Sequence, residues 1–192
     1  MKDTLLRIAA PSALDMLQAD HEHVTMMFHE YRADAPARQR TTVVRCIAVA
    51  IEVHSLLEEE IFYPALRAVT AAPDVLDRGE ADQRAAYAML QQLRVRDTTD
   101  VEHDAQFLQV MRAIFHHVAE EETVLMPEAR VLLRSRLHDL GATMARRRLE
   151  LLAPRTAELL SNAVGSVPAA FGVFAGGAMA GASMAFRHVF AR

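Results

Sequence analysis

The chain has 192 residues, 52% of them hydrophobic and 24% charged, with a formal net charge of -4. That length allows one domain with a core and a short appendage, and the scattered basic residues, clustered only at Arg146, Arg147 and Arg148, argue against a nucleic-acid partner. One cysteine, Cys46, excludes an internal disulfide framework or a multi-cysteine metal cage. With no signal peptide visible ahead of the first patterned segment, the expected compartment is the cytoplasm.

Breaks at Pro11-Ser12, Asp34 to Pro36, Ala71 to Asp74 and Asp97 to Asp100 separate segments of helical periodicity, and nothing reads as a strand. The first segment places Leu14, Leu17, His21, Val24 and Phe28 on one face, with Ser12 as the cap. The second runs Val43, Ile47, Ala50, His54, Leu57 or Glu58, and Ile61. A third is amphipathic through Leu76, Glu80, Gln83, Tyr87, Leu90 and Leu93. The fourth runs Phe107, Val110, Ile114, His117, Glu121 and Val124. The expected fold is all-α: an up-down-up-down four-helix bundle with an additional C-terminal helical extension.

Two stretches echo each other: "HSLLEEEIFYP", residues 54 to 64, and "HVAEEETVLMP", residues 117 to 127. Each places a His four residues before a Glu, hence one above the other on the same helix face. Both pairs interrupt apolar stripes. A buried carboxylate loses its water and must be paired, neutralised or bound to a metal, and two such pairs facing one core repel each other unless a cation sits between them. Imidazole nitrogen with carboxylate oxygen suits iron, manganese or zinc. His21 would add a nitrogen from the first helix.

These pieces, with "LQADHEHV" in the first helix and "FHHVAEEETVLMP" in the fourth, resemble the hemerythrin and HHE cation-binding family over roughly residues 12 to 130. The resemblance implies a bundle holding two non-haem iron ions, joined by an oxo or hydroxo bridge and bridging carboxylates. It implies a protein that binds or responds to oxygen, nitric oxide, peroxide or iron, with peroxide breakdown as a catalytic variant. It also maps His21, His54, Glu58, His117 and Glu121 onto the ligand positions.

The third helix departs from the family pattern. It reads "EADQRAAYAMLQQL", with Gln83 where the resemblance expects a histidine. A neutral amide is a poor transition-metal ligand, so Glu80, one turn earlier, or Tyr87, one turn later, is a substitute donor or outer partner, unless water or no metal takes the place. The residues flanking the ligand positions, Glu59, Glu60, His116, Glu120 and Glu122, read as a solvated face from which one can serve in an outer shell.

Residues 131–161 read as a helical extension broken near Gly141, and 162–192 as an apolar tail containing "VPAAFGVFAGGAMAGASMAF". That tail is long enough for a span of ~20 residues, and its small residues recur at four-residue steps. Its moderate hydrophobicity leaves the expectation open between a membrane contact and packing on the bundle or, in a homo-oligomer, on a second copy. Two function classes follow: an iron-dependent protein that binds or senses a small diatomic ligand or peroxide, and a metal-free helical scaffold that associates through its tail.

Overall fold

Ser12 caps the first described helix of the computed structural model, which describes residues 11–155. The Ser12 hydroxyl accepts from the backbone N–H of Asp15 at 3.2 Å, and the Asp15 carboxylate accepts from the backbone N–H of Ser12 at 3.1 Å. This reciprocal box satisfies two of the backbone donors that a helix start leaves open. Helix α1 then runs Ala13–Glu30 and buries Leu14, Leu17, His21, Val24 and Phe28, the face its periodicity predicts.

Helix α2, Ala37–Leu57, leads through a π turn at Glu58–Phe62 into α3, Tyr63–Arg67. Helix α4, Pro73–Val95, begins on a proline, whose missing N–H costs nothing at that position. Helix α5, His103–Glu120, leads through a second π turn at Glu121–Leu125 into α6, Met126–Leu132. With the two π turns joining their flanking helices, these are the four members of the bundle. A fifth helix, α7 (Leu137–Leu152), ends in a 3₁₀ turn at Ala153–Arg155 and packs on α1 and α2. There is no strand among the described residues.

The two π turns explain the repeated proline. Each turn ends one residue short of a Pro, with the N–H of Tyr63 bonded to the Glu58 carbonyl and that of Met126 to the Glu121 carbonyl. In a regular helix Pro64 and Pro127 would leave the carbonyls of Glu60 and Thr123 without donors and crowd them. Here those carbonyls lie inside already widened turns. The extra residue also advances the buried stripe by one: Phe62 and Leu125 lie in the core, whereas Ile61 is half-buried and Val124 exposed. The expected stripe positions Ile61 and Val124 are thereby corrected.

Gly141 does not break the extension; the break falls between Leu132 and Leu137, and α7 continues through the glycine. A Cβ there would lie 2.1 Å from the carbonyl oxygen of Pro11 and 2.8 Å from the carbonyl carbon of Ser12, so Gly141 lets α7 press its backbone against the start of α1. Among the described residues no helix is long and apolar enough to cross a membrane. The expected tail, 162–192, and the end of the extension, 156–161, lie outside the described residues.

Candidate metal centre

Three backbone elements bring the candidate ligands together. The four-residue step from His54 to Glu58 points both side chains inward from α2, the same step from His117 to Glu121 does so from α5, and His21 faces them from the middle of α1. All five are buried, Glu58 and Glu121 at 0% and 1% exposure. Ligand atoms of His21, His54, Glu58 and Glu121 all lie within 4.8 Å of one another. His21 Nε2 is 3.3 Å from Glu121 Oε2, and His54 Nε2 is 3.2 Å from Glu58 Oε2. His117 joins at the margin, its Nε2 3.5 Å from Glu121 Oε2.

These atoms converge without the alignment of hydrogen bonds. The Nε2 atoms of His21, His54 and His117, Oε1 of Glu58 and Oε2 of Glu121 are all buried with no hydrogen-bond partner. Each such group costs roughly 1–3 kcal/mol in a protein interior. A cation among them would satisfy all five, so the donor set fits a metal ion with nitrogen and oxygen preference.

The far sides of the candidate ligands are held in place. His21 Nδ1–H donates to Glu122 Oε1 at 2.9 Å, and His54 Nδ1 faces Asp20 Oδ2 at 3.4 Å. An ionised carboxylate only accepts, so these contacts put the proton on Nδ1 and leave Nε2 open toward the cluster. The Tyr63 hydroxyl donates to Glu121 Oε1 at 2.7 Å, and the Gln83 amide donates to Glu58 Oε2. Asp20 is in turn bound by Arg148 from α7.

Electrostatics separates the two carboxylates. Burial, and then the negative charge of Glu121, push Glu58 up to about 7. Burial also works to raise Glu121, but the close approach of His21 and the charges of His117, His54 and His21 overcome it and hold Glu121 below the ordinary range. His54 is raised well above its usual value because Glu58 and Asp20 outweigh its burial, whereas burial leaves His117 lowered. Tyr63 is raised by burial and by both carboxylates, so it remains a phenol that donates.

A cavity of about 20 Å³, lined by His21, His54, Gln83, Ala86, Ile114 and His117 among others, adjoins the cluster. That is room for roughly one water molecule. Gln83 lines it, its Oε1 unpartnered. Glu80 and Tyr87 do not. Glu80 is committed at the surface to Arg67 at 2.6 Å and Arg84 at 3.6 Å, and Tyr87 is half-buried outside the cavity lining, where the charges acting on its phenol are those of Glu52, Arg94, Arg155 and Glu59. The buried face of α4 runs through Gly79, Gln83, Ala86, Leu90 and Leu93, one position away from the expected Glu80 and Tyr87. Ala86 fills the place next to Gln83, so of the three candidates on this helix Gln83 alone faces the cluster.

Asp20, Tyr63 and Arg148 belong to the site's surroundings without having carried a periodic signal. Asp20 was legible only as the acid immediately before His21, and the three consecutive arginines resembled a solvated face. One of those, Arg147, forms a two-pronged pair with Glu60 at 2.6 and 2.9 Å. A second group, Asp82, His116 and Glu120, also brings ligand atoms within 4.8 Å, but it faces solvent, where water satisfies these groups without an ion.

The hemerythrin HHE cation binding domain model matches residues 12–129. A crystal structure of a hemerythrin HHE cation binding domain-containing protein from Mycobacterium kansasii superposes with a TM-score of 0.67 at 19% identity, covering 84% of this chain and 97% of that one. At that identity the likeness speaks for the fold. A search of curated proteins returned no significant match.

Proposed function

Because the chain belongs to the hemerythrin HHE cation-binding domain family, we propose that its buried cluster binds iron, as a pair bridged by Glu58 and Glu121, and presents it to a small diatomic ligand or peroxide. The observation that carries this reading is the convergence of five buried donor atoms, each without a hydrogen-bond partner, from three helices. Iron, when bound, supplies a redox-active centre with affinity for such ligands. The chain's own residues do the rest. His21, His54 and His117 supply neutral nitrogen, Glu122 and Asp20 orient two of those rings, and Tyr63 holds one oxygen of Glu121 so that the other faces the cluster. Val24, Ile51 and Ile114 line the adjoining cavity and keep it apolar. The family's expected histidine is replaced by Gln83, so any iron held there would have one nitrogen donor fewer from this chain.

A specific observation favours the metal-free scaffold as the second reading: the Gln83 amide donates to Glu58 and so satisfies part of that carboxylate without an ion. Elemental analysis separates the two. Protein loaded anaerobically with ferrous iron should retain up to two irons per chain and, after aeration, show the near-ultraviolet absorption of a bridged ferric pair. Retention of one iron would reduce the pair to a single ion, and persistently negligible retention would leave the scaffold.

A further inference from the structure

Helix α7 lies outside the residues that match the family domain, yet its side chains reach the ligand shell. Asp20, only 3% exposed, is bound through the same oxygen, Oδ2, by Arg148 from α7 and by the His54 ring, whose Nδ1 stands 3.4 Å away. On the opposite edge of that ring, Nε2 faces Glu58 at 3.2 Å and has no hydrogen-bond partner. The result is a continuous line from α7 to the cluster: guanidinium, carboxylate, imidazole, open nitrogen. Gly141 brings α7 against the backbone at the start of α1, and Arg147 ties the same helix to Glu60 in the first π turn. The helix is therefore held at two further points, both ahead of Arg148 along its length. An aspartate this buried is costly unless paired, and without Arg148 it would have reason to rotate away from His54 toward water.

We propose that Arg148 is a positioning residue for the metal centre: by anchoring Asp20 it holds the His54 ring with Nε2 turned into the ligand cluster, which makes α7 a working part of the site. The inference rests on the metal-binding reading above. His21, the other ring with a carboxylate at Nδ1, relies on Glu122, a residue on α5's own continuation that is 39% exposed. The extension thus supports one ligand of the centre and leaves the other to solvent-facing support.

The test uses the full chain and the variants Arg148→Met, Arg148→Lys, Asp20→Asn and the Arg148→Met/Asp20→Asn pair. Two readouts apply: ferrous-iron affinity by anaerobic chelator competition, and the imidazole nitrogen NMR signals of His54 without metal. Loss of an outer partner of a ligating histidine weakens metal binding roughly 10- to 100-fold. Arg148→Met and Asp20→Asn should each weaken iron binding about tenfold on that scale. The pair should be no weaker than Asp20→Asn alone, because both changes cut one line. Arg148→Lys should recover most of the loss, and the His54 Nδ1–H signal, set by its contact with Asp20, should shift in Arg148→Met. Additive losses, an Arg148→Met affinity within about twofold of the parent, or unchanged His54 signals would overturn the proposal. If Arg148→Met alone fails to fold, the pair leaves no unpaired buried carboxylate and carries the comparison against Asp20→Asn. If the parent chain binds no iron, the metal-binding reading falls, while the His54 signals still decide whether Arg148 orients that ring.

Discussion

The stretches around His54-Glu58 and His117-Glu121 share a spacing, a π turn and a following proline, yet their carboxylates behave in opposite ways. Glu58 is pushed up to about 7, while Glu121 is held low. The difference lies in what other helices bring to each. Glu121 receives His21 from α1, His117 from its own helix and the Tyr63 hydroxyl. Glu58 has His54 and the Gln83 amide, and His54 is shared with Asp20. A neutral amide stabilises a carboxylate less than a second imidazolium does. One local motif therefore yields two half-sites, and it is tertiary partners that set the charge state of each.

Removing either carboxylate is the most severe way to break this comparison. Even an outer partner of a metal-binding residue contributes roughly 10- to 100-fold in affinity, so loss of an oxygen donor itself should cost at least about a hundredfold. Glu121→Ala and Glu58→Ala should both lose most of their iron after anaerobic loading, as read by elemental analysis. Glu121→Ala should be the worse, because more donors converge on that residue. Normal loading of both variants would remove these residues from the ligand set.

The next test is pH. Glu58 binds its proton more tightly in the fold than its ordinary value of 4.5 allows, so its contribution to stability is fully present below 4.5 and declines as pH rises to about 7. Glu121 has the opposite sign: its contribution is present above 4.5 and is lost as pH falls through its lowered value. Because a metal must displace the Glu58 proton, affinity should weaken by about tenfold per pH unit on its account below 7. Glu58→Gln should remove one proton's worth of slope from affinity measured between pH 5.5 and 7, whereas Glu121→Gln, which takes away a charge that helps to raise Glu58, should move that slope to lower pH without abolishing it. Equal slopes in the two variants would mean that the half-sites do not differ in charge.

Much of this architecture was legible in the chain. The stripe of α1, the two His-Glu steps and the Ser12 cap follow from short-range periodicity, which needs no knowledge of neighbours. Periodicity failed where the helix itself changed pitch: the π turns moved burial from Ile61 to Phe62 and from Val124 to Leu125. It failed again on α4, where Leu76, Gln83, Leu90 and Leu93 face the core as expected but the intervening places fall to Gly79 and Ala86 in place of Glu80 and Tyr87, on a helix packed against α2 and α5. Gly141 suggested a break because glycine weakens helices, whereas its role is to admit the backbone of Pro11. Asp20 and Arg148 stand 128 residues apart in sequence, and no local pattern joins them.

Gln83 permits a test that would make the half-sites alike. Its amide already reaches Glu58, so a histidine there would set an imidazole beside that carboxylate, as His21 stands beside Glu121. Gln83→His should tighten iron binding by about tenfold, the order of one good charge-assisted interaction of ~1.5 kcal/mol, and should lower the Glu58 titration below 7. The chelator competition and pH series used above measure both. Unchanged affinity with an unchanged pH slope would show that the position does not address the metal.

The smallest effect is expected from Tyr63, the donor that belongs to the Glu121 half. Its hydroxyl, on a ring with 1% exposure, gives a 2.7 Å hydrogen bond to Glu121 Oε1, while Oε2 is the atom near His21 and His117. Tyr63→Phe keeps the ring in the core and removes this one bond, so the fold should persist with little loss of helicity by circular dichroism. A hydrogen bond to a charged group contributes about 1.5–3 kcal/mol, but a bound cation would take over part of the stabilisation of the carboxylate. The iron affinity should therefore fall by only about threefold to tenfold, at or below the least that an outer partner usually contributes. The informative readout is again the comparison: without the phenol, Glu121 should titrate higher and approach Glu58. If Tyr63→Phe leaves both the affinity and its pH slope unchanged, the imidazoles alone hold Glu121 down, and the contrast between the half-sites rests on Gln83 and not on Tyr63.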